Sequence, residues 1–210
     1  MIHIEGLEKT RGDFHFGPFD LRVEAGAIVG ILGREGSGRT TLLRLMWGFE
    51  RPDAGRVEIF GMQPHLHQLR VRARAGYAPE ITWNYPDLLV GHFLNFIGDF
   101  YDKWDKTHIY SLLRRFDIDW GQHIGTLSLT QRRQLTTIAA LGHHPSLVLL
   151  DQPAKDMKDK ERSQLLDFLR RLSREEKVTL VITGDVAEDL DRIADGVLTL
   201  NHGRILECAR

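Results

Sequence analysis

The chain has 210 residues, 42% hydrophobic and 27% charged, with a net charge of -1 at neutral pH. That length suits one domain with a core of its own, and the near-neutral balance argues against a nucleic-acid partner, which calls for a basic excess. A single cysteine, Cys208, allows no disulfide within the chain, and no apolar run approaches the roughly 20 residues of a membrane span.

In chain order, alternation at Ile2 and Ile4, and again at Phe19, Leu21 and Val23, predicts short antiparallel strands. Met1 to Glu5 lacks the charged-then-apolar order of a secretory signal. Ala27 to Leu32 reads as a buried strand, followed by a Gly-rich turn and a helix through Thr40 to Met46. Arg56 to Phe60 is a short strand, and His65 to Arg74 has helical character. An aromatic stretch runs from Trp83 to Trp104. It reads first as the core of a small subdomain. The second reading is a groove for a partner helix, anchored by Trp83, Tyr85 and Phe93. Helical spacing marks His108 to Phe116 and Gln131 to Leu141. Leu147 to Leu150 is an apolar strand that ends on Asp151. Glu161 to Arg174 carries an apolar stripe of Leu165, Leu166, Phe168, Leu169 and Leu172, opposite a solvated charged face. Val178 to Thr183 is another buried strand, and a hairpin around Asn201-His202-Gly203 closes the chain. His65 and His67 lack the further ligands that zinc needs and read as solvated.

The turn after the first buried strand is Gly33-Arg34-Glu35-Gly36-Ser37-Gly38-Arg39-Thr40-Thr41. It fits the phosphate-binding pattern G-x-x-x-x-G-K-[ST], with Arg39 in place of Lys. Glycines let backbone amides turn inward onto phosphate oxygens, and the helix start adds its positive dipole end. Thr40 is placed to ligate Mg²⁺ through its hydroxyl.

Further segments fall in a familiar order. These are Gly76-Tyr77-Ala78-Pro79-Glu80, Leu127-Ser128-Leu129-Thr130-Gln131, Leu147 to Pro153, Val181-Ile182-Thr183-Gly184-Asp185 and Gly203-Arg204-Ile205. With the phosphate loop they resemble, over essentially the whole length, the ATP-binding subunits of ABC transporters: Q-loop, signature, Walker B, H-loop and terminal hairpin. The resemblance implies an α/β P-loop NTPase fold of ABC type. It has a mixed central sheet, a small antiparallel β portion and a helical subdomain at roughly 80–144, all in one domain. It implies Mg²⁺ and ATP as ligands, held by Gly33, Gly36, Ser37, Gly38, Arg39, Thr40 and Thr41, with Thr40, Asp151 and Glu80 facing the metal. Arg11, with Phe14 as the alternative, takes the place of the adenine-stacking aromatic. Ser128 and Gln131 are the retained signature residues that face a partner's nucleotide. The implied partners are a second nucleotide-binding domain, identical or not, and a membrane-spanning permease. The permease would hold the chain peripherally on the cytoplasmic face.

The family pattern is broken where it surrounds the γ-phosphate. Arg39 replaces Lys, Gln152 replaces the catalytic Glu, Gly184 replaces the H-loop His, and Leu129 and Thr130 replace the signature glycines. Lys158 stands at the D-loop Asp, and Glu80 at the usual Gln. Gln orients water but cannot take its proton, and phosphoryl transfer depends on positioning and charge. The sequence therefore predicts a subunit that binds Mg–ATP and hydrolyses it poorly. The two alternatives are an active ATPase and a soluble regulator or scaffold without a membrane partner. His143 and His144 are expected on the solvent approach to the Walker B strand.

Overall fold

The computed structural model describes residues 1–80 and 85–209; Trp83 lies outside them. The chain opens with β1 (Ile2–Arg11) and β2 (Phe14–Val23), followed by β3 (Ile28–Gly33) and α1 (Arg39–Trp47). Next come β4 (Ala54–Ile59), α2 (Gln68–Arg72), β5 (Ala75–Ala78), α3 (Val90–Gly98) and α4 (Lys106–Arg115). A 3₁₀ turn at Ile124–Thr126 leads into α5 (Leu129–Leu141), β6 (Leu147–Leu150), α6 (Asp159–Glu176) and β7 (Thr179–Gly184). The chain finishes with α7 (Ala187–Asp191), β8 (Gly196–Asn201) and β9 (Arg204–Ala209).

Two sheets form. One is antiparallel, in the order β2-β1-β4; the other runs β5-β6-β7-β3-β8-β9 and is parallel except where β9 turns back on β8. All four residues of β6 are buried, as expected of a central parallel strand covered on both faces. One apolar cluster joins β3, β6 and β7 to the helices α3 to α6. A second lies between the opposite face, α1 and the antiparallel sheet. On α6 the expected stripe of Leu165, Leu166, Phe168, Leu169 and Leu172 is buried. Each large side chain there contributes about 1.5–3 kcal/mol relative to exposure. The rest of the helix carries its charges outward, which is the solvated face expected.

Several elements differ from the sequence reading. The helix expected over His65–Arg74 shrinks to Gln68–Arg72. The strand expected to end at Phe60 ends at Ile59, because Phe60 turns to φ 56°. The helix expected from Gln131 begins at Leu129. Ser128 caps it with its side chain accepting from the Gln131 N–H, while the Gln131 side chain accepts from the Ser128 N–H, both at 3.1 Å. Strand β5, within the segment that resembles the Q-loop, is an element the sequence reading does not predict; it pairs in register with β6. It is short, and Gly76 offers no side-chain signal. A Cβ there would overlap the Ala140 carbonyl oxygen of α5.

Candidate functional site

The carboxyl ends of β3, β6 and β7 converge. Leu32 pairs with Gly184, and Leu150 with Ile182, so the phosphate loop, Asp151 and Gly184 follow adjacent strand ends. Such an edge is where open α/β sheets take ligands. A cleft of about 310 Å³ lies there, lined by Arg11, Phe14, residues 34–41, Glu80 and Gln152.

The loop's shape depends on Gly38. Its φ is 107°, and a Cβ would meet the Phe16 ring at 2.7 Å and the Phe14 ring at 3.1 Å. The loop is held from behind, since the Gly203 N–H donates to the Ser37 carbonyl at 2.9 Å. Thr40 is exposed at the first turn of α1, whereas Thr41 is buried. Gly33 ends β3, and Gly36 stands open at φ 76°.

Opposite the loop, Asp151 is 2% exposed. Its Oδ1 accepts from the Thr183 hydroxyl at 2.8 Å, and its Oδ2 has no protein partner. Burial raises its pKa above the usual carboxylate range, against the pull of the Thr183 and Thr40 hydroxyls and the Arg39 charge. Gln152 sits at φ 51°, and its N–H donates to the same Thr183 hydroxyl at 2.9 Å. Its Oε1, like Ser37 Oγ, is buried and unpartnered. Two residues that line the cleft, Ser37 and Gln152, and Asp151 beside Gln152 in the chain thus each carry a buried oxygen without a protein partner, although buried polar groups in folded proteins are nearly always satisfied. An unpartnered carboxylate oxygen with threonine hydroxyls beside it is the hard oxygen set that suits Mg²⁺ and its waters.

Glu80 is committed to the protein. Its Oε1 accepts from Lys155 Nζ at 2.6 Å, and its carbonyl accepts from Arg133 Nη1 at 3.3 Å. Burial pushes its pKa up, but the Lys155 bond and charge outweigh this and hold it below the ordinary range. Arg39 is 6% exposed, and its Nη1 donates to the Gly184 carbonyl at 2.6 Å. Burial lowers its pKa, while Asp185, Asp151, Glu80 and Glu35 draw it back up. At the far end of the cleft Arg11 pairs with Glu50, and Phe14 lies beside Gly38.

Not every expected residue meets here. Ser128 and Gln131 do not line the cleft; they cap α5, and Gln131 Nε2 also donates to the Asp117 carbonyl at 2.9 Å. Leu129 is 50% exposed on the first turn of that helix, and Lys158 is the N-cap of α6. His143 corrects the expectation of a solvent approach. It is buried, with Nε2 on the Ala75 carbonyl at 3.1 Å and its ring stacked on Tyr101 at 4.0 Å. His144 is exposed and pairs with Asp105 at 3.0 Å. Phe93 is also corrected: it is core, 2% exposed, so it cannot anchor a partner, whereas Tyr85 is exposed. Sequence reasoning missed Thr183, Arg133 and Lys155 as site-building residues. A threonine ending the apolar run of β7 was the available signal; Arg133 and Lys155 gave none.

The profile of the ABC transporter family matches residues 16–155. This chain belongs to the ABC transporter family. A probable sulfate/thiosulfate import ATP-binding protein of Chlorella vulgaris is 31% identical over 98% of this chain and 89% of its own length. The bacitracin transport ATP-binding protein of Bacillus licheniformis is 27% identical over 90% of this chain and 62% of its own. The chain spans only 26% of an ABC transporter G family member of Dictyostelium discoideum, to which it is 31% identical. Among solved structures, the ATP-binding subunit of an ABC transporter superposes with TM-score 0.88 at 18% identity, covering all of this chain and 89% of that one. A dimeric ATP-binding cassette bound to ADP and phosphate gives 0.87 at 18%, covering 100% and 98%. The fold is thus that of ABC ATPase cassettes, and ATP with Mg²⁺ is the ligand pair of the family. Among the described residues, no helix is long and apolar enough to cross a membrane.

Proposed function

We propose that this chain is the ATP-binding subunit of a transporter complex that holds Mg–ATP and turns it over slowly or not at all. It would act as the regulatory half of a nucleotide-binding dimer. The amides of Gly36, Gly38, Arg39 and Thr40 would receive the phosphates, while Gly33 and Ser37 shape the loop. Thr40, or Thr41 after a small shift, and Asp151 would hold Mg²⁺; Mg²⁺ would neutralise phosphate charge. Arg11 or Phe14 would cover the base.

The observation that carries this reading is a cleft walled by the phosphate loop, two of whose lining residues, Ser37 and Gln152, hold a buried oxygen without a protein partner, with Asp151 Oδ2 likewise unpartnered next in the chain to Gln152. Slow turnover is supported by what stands beside Asp151. Gln152 presents an amide that cannot accept a proton, Gly184 presents only backbone, and Glu80 is neutralised by Lys155. An active ATPase needs another proton acceptor, and Glu80, one of the acids that act on Arg39 with Asp185, Asp151 and Glu35, is already engaged by Lys155.

The partners proposed are a second nucleotide-binding domain and a permease on the cytoplasmic face of a membrane. A groove of about 750 Å³ between α2 and the end of α3, with Leu69 85% and Phe100 72% exposed, supports permease docking. It replaces the Phe93 anchor. Equilibrium titration of the purified chain with Mg–ATP, against Asp151→Ala, tests the reading. Saturable binding that the substitution weakens, without steady phosphate release, is expected. Absence of binding at about millimolar ATP, or rapid turnover, overturns it.

A further inference from the structure

A second cluster of titratable side chains lies outside the nucleotide cleft, where the start of α4, the turn between α5 and β6, and the end of α6 meet. His108, in the first turn of α4, and His144, in the turn that enters β6, place their ring centroids 4.5 Å apart at a tilt of 39°. One residue ties both segments. Asp105 caps α4, with Oδ1 accepting from the His108 backbone N–H at 2.9 Å, and its Oδ2 lies 3.0 Å from His144 Nε2. The Asp105 carbonyl accepts from the Ile109 N–H at 3.0 Å. His144 sits at φ 52°, a left-handed backbone that a residue with a Cβ keeps when its surroundings hold it there.

The charged groups around His108 come from all three elements: Asp105 at the start of α4, His144 from the turn, and Glu176 and Lys177 from the end of α6. A cavity of about 310 Å³ beside the two rings gives them room to part. His143, next to His144, is spent on Tyr101 and the Ala75 carbonyl. Burial, then His144, hold the His108 pKa below the usual imidazole range, while Glu176 and Asp105 pull it up. Neutral rings at this distance pack favourably. A proton on His144 makes its bond to Asp105 charge-assisted. A second proton, on His108, sets two like charges beside each other, and moving one ring away relieves the repulsion. The His144 side is fixed, because His143 is buried and the fully buried β6 begins at Leu147. The start of α4 is freer, since Asp102, Lys103 and Lys106 around it are exposed.

We propose that the His108–His144 pair, joined through Asp105, is a proton-operated latch. With at most one ring charged it holds the first turn of α4 against the turn that enters β6; with both charged it releases that turn. The inference is independent of the Mg–ATP reading.

The test is amide hydrogen exchange of the purified chain at about pH 7 and about pH 5, corrected for intrinsic rates. It is read at His108 and Ile109, the two N–H groups that Asp105 holds. The amides of β6 serve as reference, so that a general loss of stability cancels. Protection at the two positions relative to β6 is expected to fall by about tenfold, equivalent to about one pH unit of interaction between the rings. His144→Asn removes one charge and keeps a donor for Asp105. It should abolish the fall and raise the His108 titration midpoint, followed by NMR, by about one pH unit. His108→Asn removes the other charge, keeps the capping N–H, and should abolish the fall as well. An equal fall in either variant, or a His108 midpoint that His144→Asn leaves in place, overturns the proposal. So does protection in the unmodified chain that is the same at both pH values.

Discussion

Acidification should destabilise this domain through His143. Its ring is 4% exposed, stacks on Tyr101 after α3 and donates to the Ala75 carbonyl of β5, joining the helical layer to the sheet edge. Nδ1 is buried without a partner, so protonation there would place a charge in an apolar contact. Burial lowers the pKa from 6.5 to about 4. The unfolded chain takes up the proton as pH falls through about 6.5, and the folded chain only near 4. Stability is therefore full above the unfolded value and is lost between the two. At about pH 5 the loss is about 2 kcal/mol, and it approaches about 3 kcal/mol below the folded value. For a chain of this length that corresponds to a fall in Tm of about 4–8 °C between about pH 7.5 and pH 5. The assay is thermal melting followed by circular dichroism at both pH values, on the unmodified chain and on His143→Asn. The variant starts from a lower Tm because the stack is lost, but its pH-dependent fall should be smaller by about that 4–8 °C. His108, also lowered by burial, stays in both proteins and cancels. Equal pH-dependent falls in the two proteins would refute the reasoning.

Asp151→Asn should cut Mg–ATP affinity by about tenfold or more while leaving metal-free ATP binding within about twofold, because the lost charge faces the cation; calorimetry with and without chelator decides it. Since burial raises the Asp151 pKa, Mg²⁺-dependent binding should also weaken on acidification before an ordinary carboxylate would protonate, a trend that is absent in Asp151→Asn. Gln152→Glu alone should raise phosphate release by less than about tenfold, because Arg39 and Gly184 remain in place and general-base catalysis needs a positioned water; a larger rise would show that Gln152 is the sole block. Gly76→Ala should cost about 2 kcal/mol or more in chemical denaturation, because its Cβ overlaps the Ala140 carbonyl and α5 must move.

The order of the elements and the chemistry of the cleft were written in the sequence wherever local physics dictates them. The phosphate loop is legible because backbone cradling demands glycines at fixed spacing. The Leu147 to Leu150 run is legible because a strand covered on both faces must be apolar throughout. The apolar stripe of α6 follows helical periodicity. The departures at Arg39, Gln152 and Gly184 were equally visible, because they break a pattern of known spacing.

What only the tertiary structure decided concerns groups that meet across long separations. Thr183 serves both Asp151 and Gln152; Lys155 and Arg133 converge on Glu80; His143 is buried instead of facing solvent; Ser128 and Gln131 spend their side chains on capping α5. Most decisive is the bond from Arg39 to Gly184, 145 residues apart. One-dimensional spacing gives a residue's chemistry and local conformation. The partner that satisfies it is chosen by the pairing of β3 with β7, because packing sets which distant carbonyl lies within a side chain's reach.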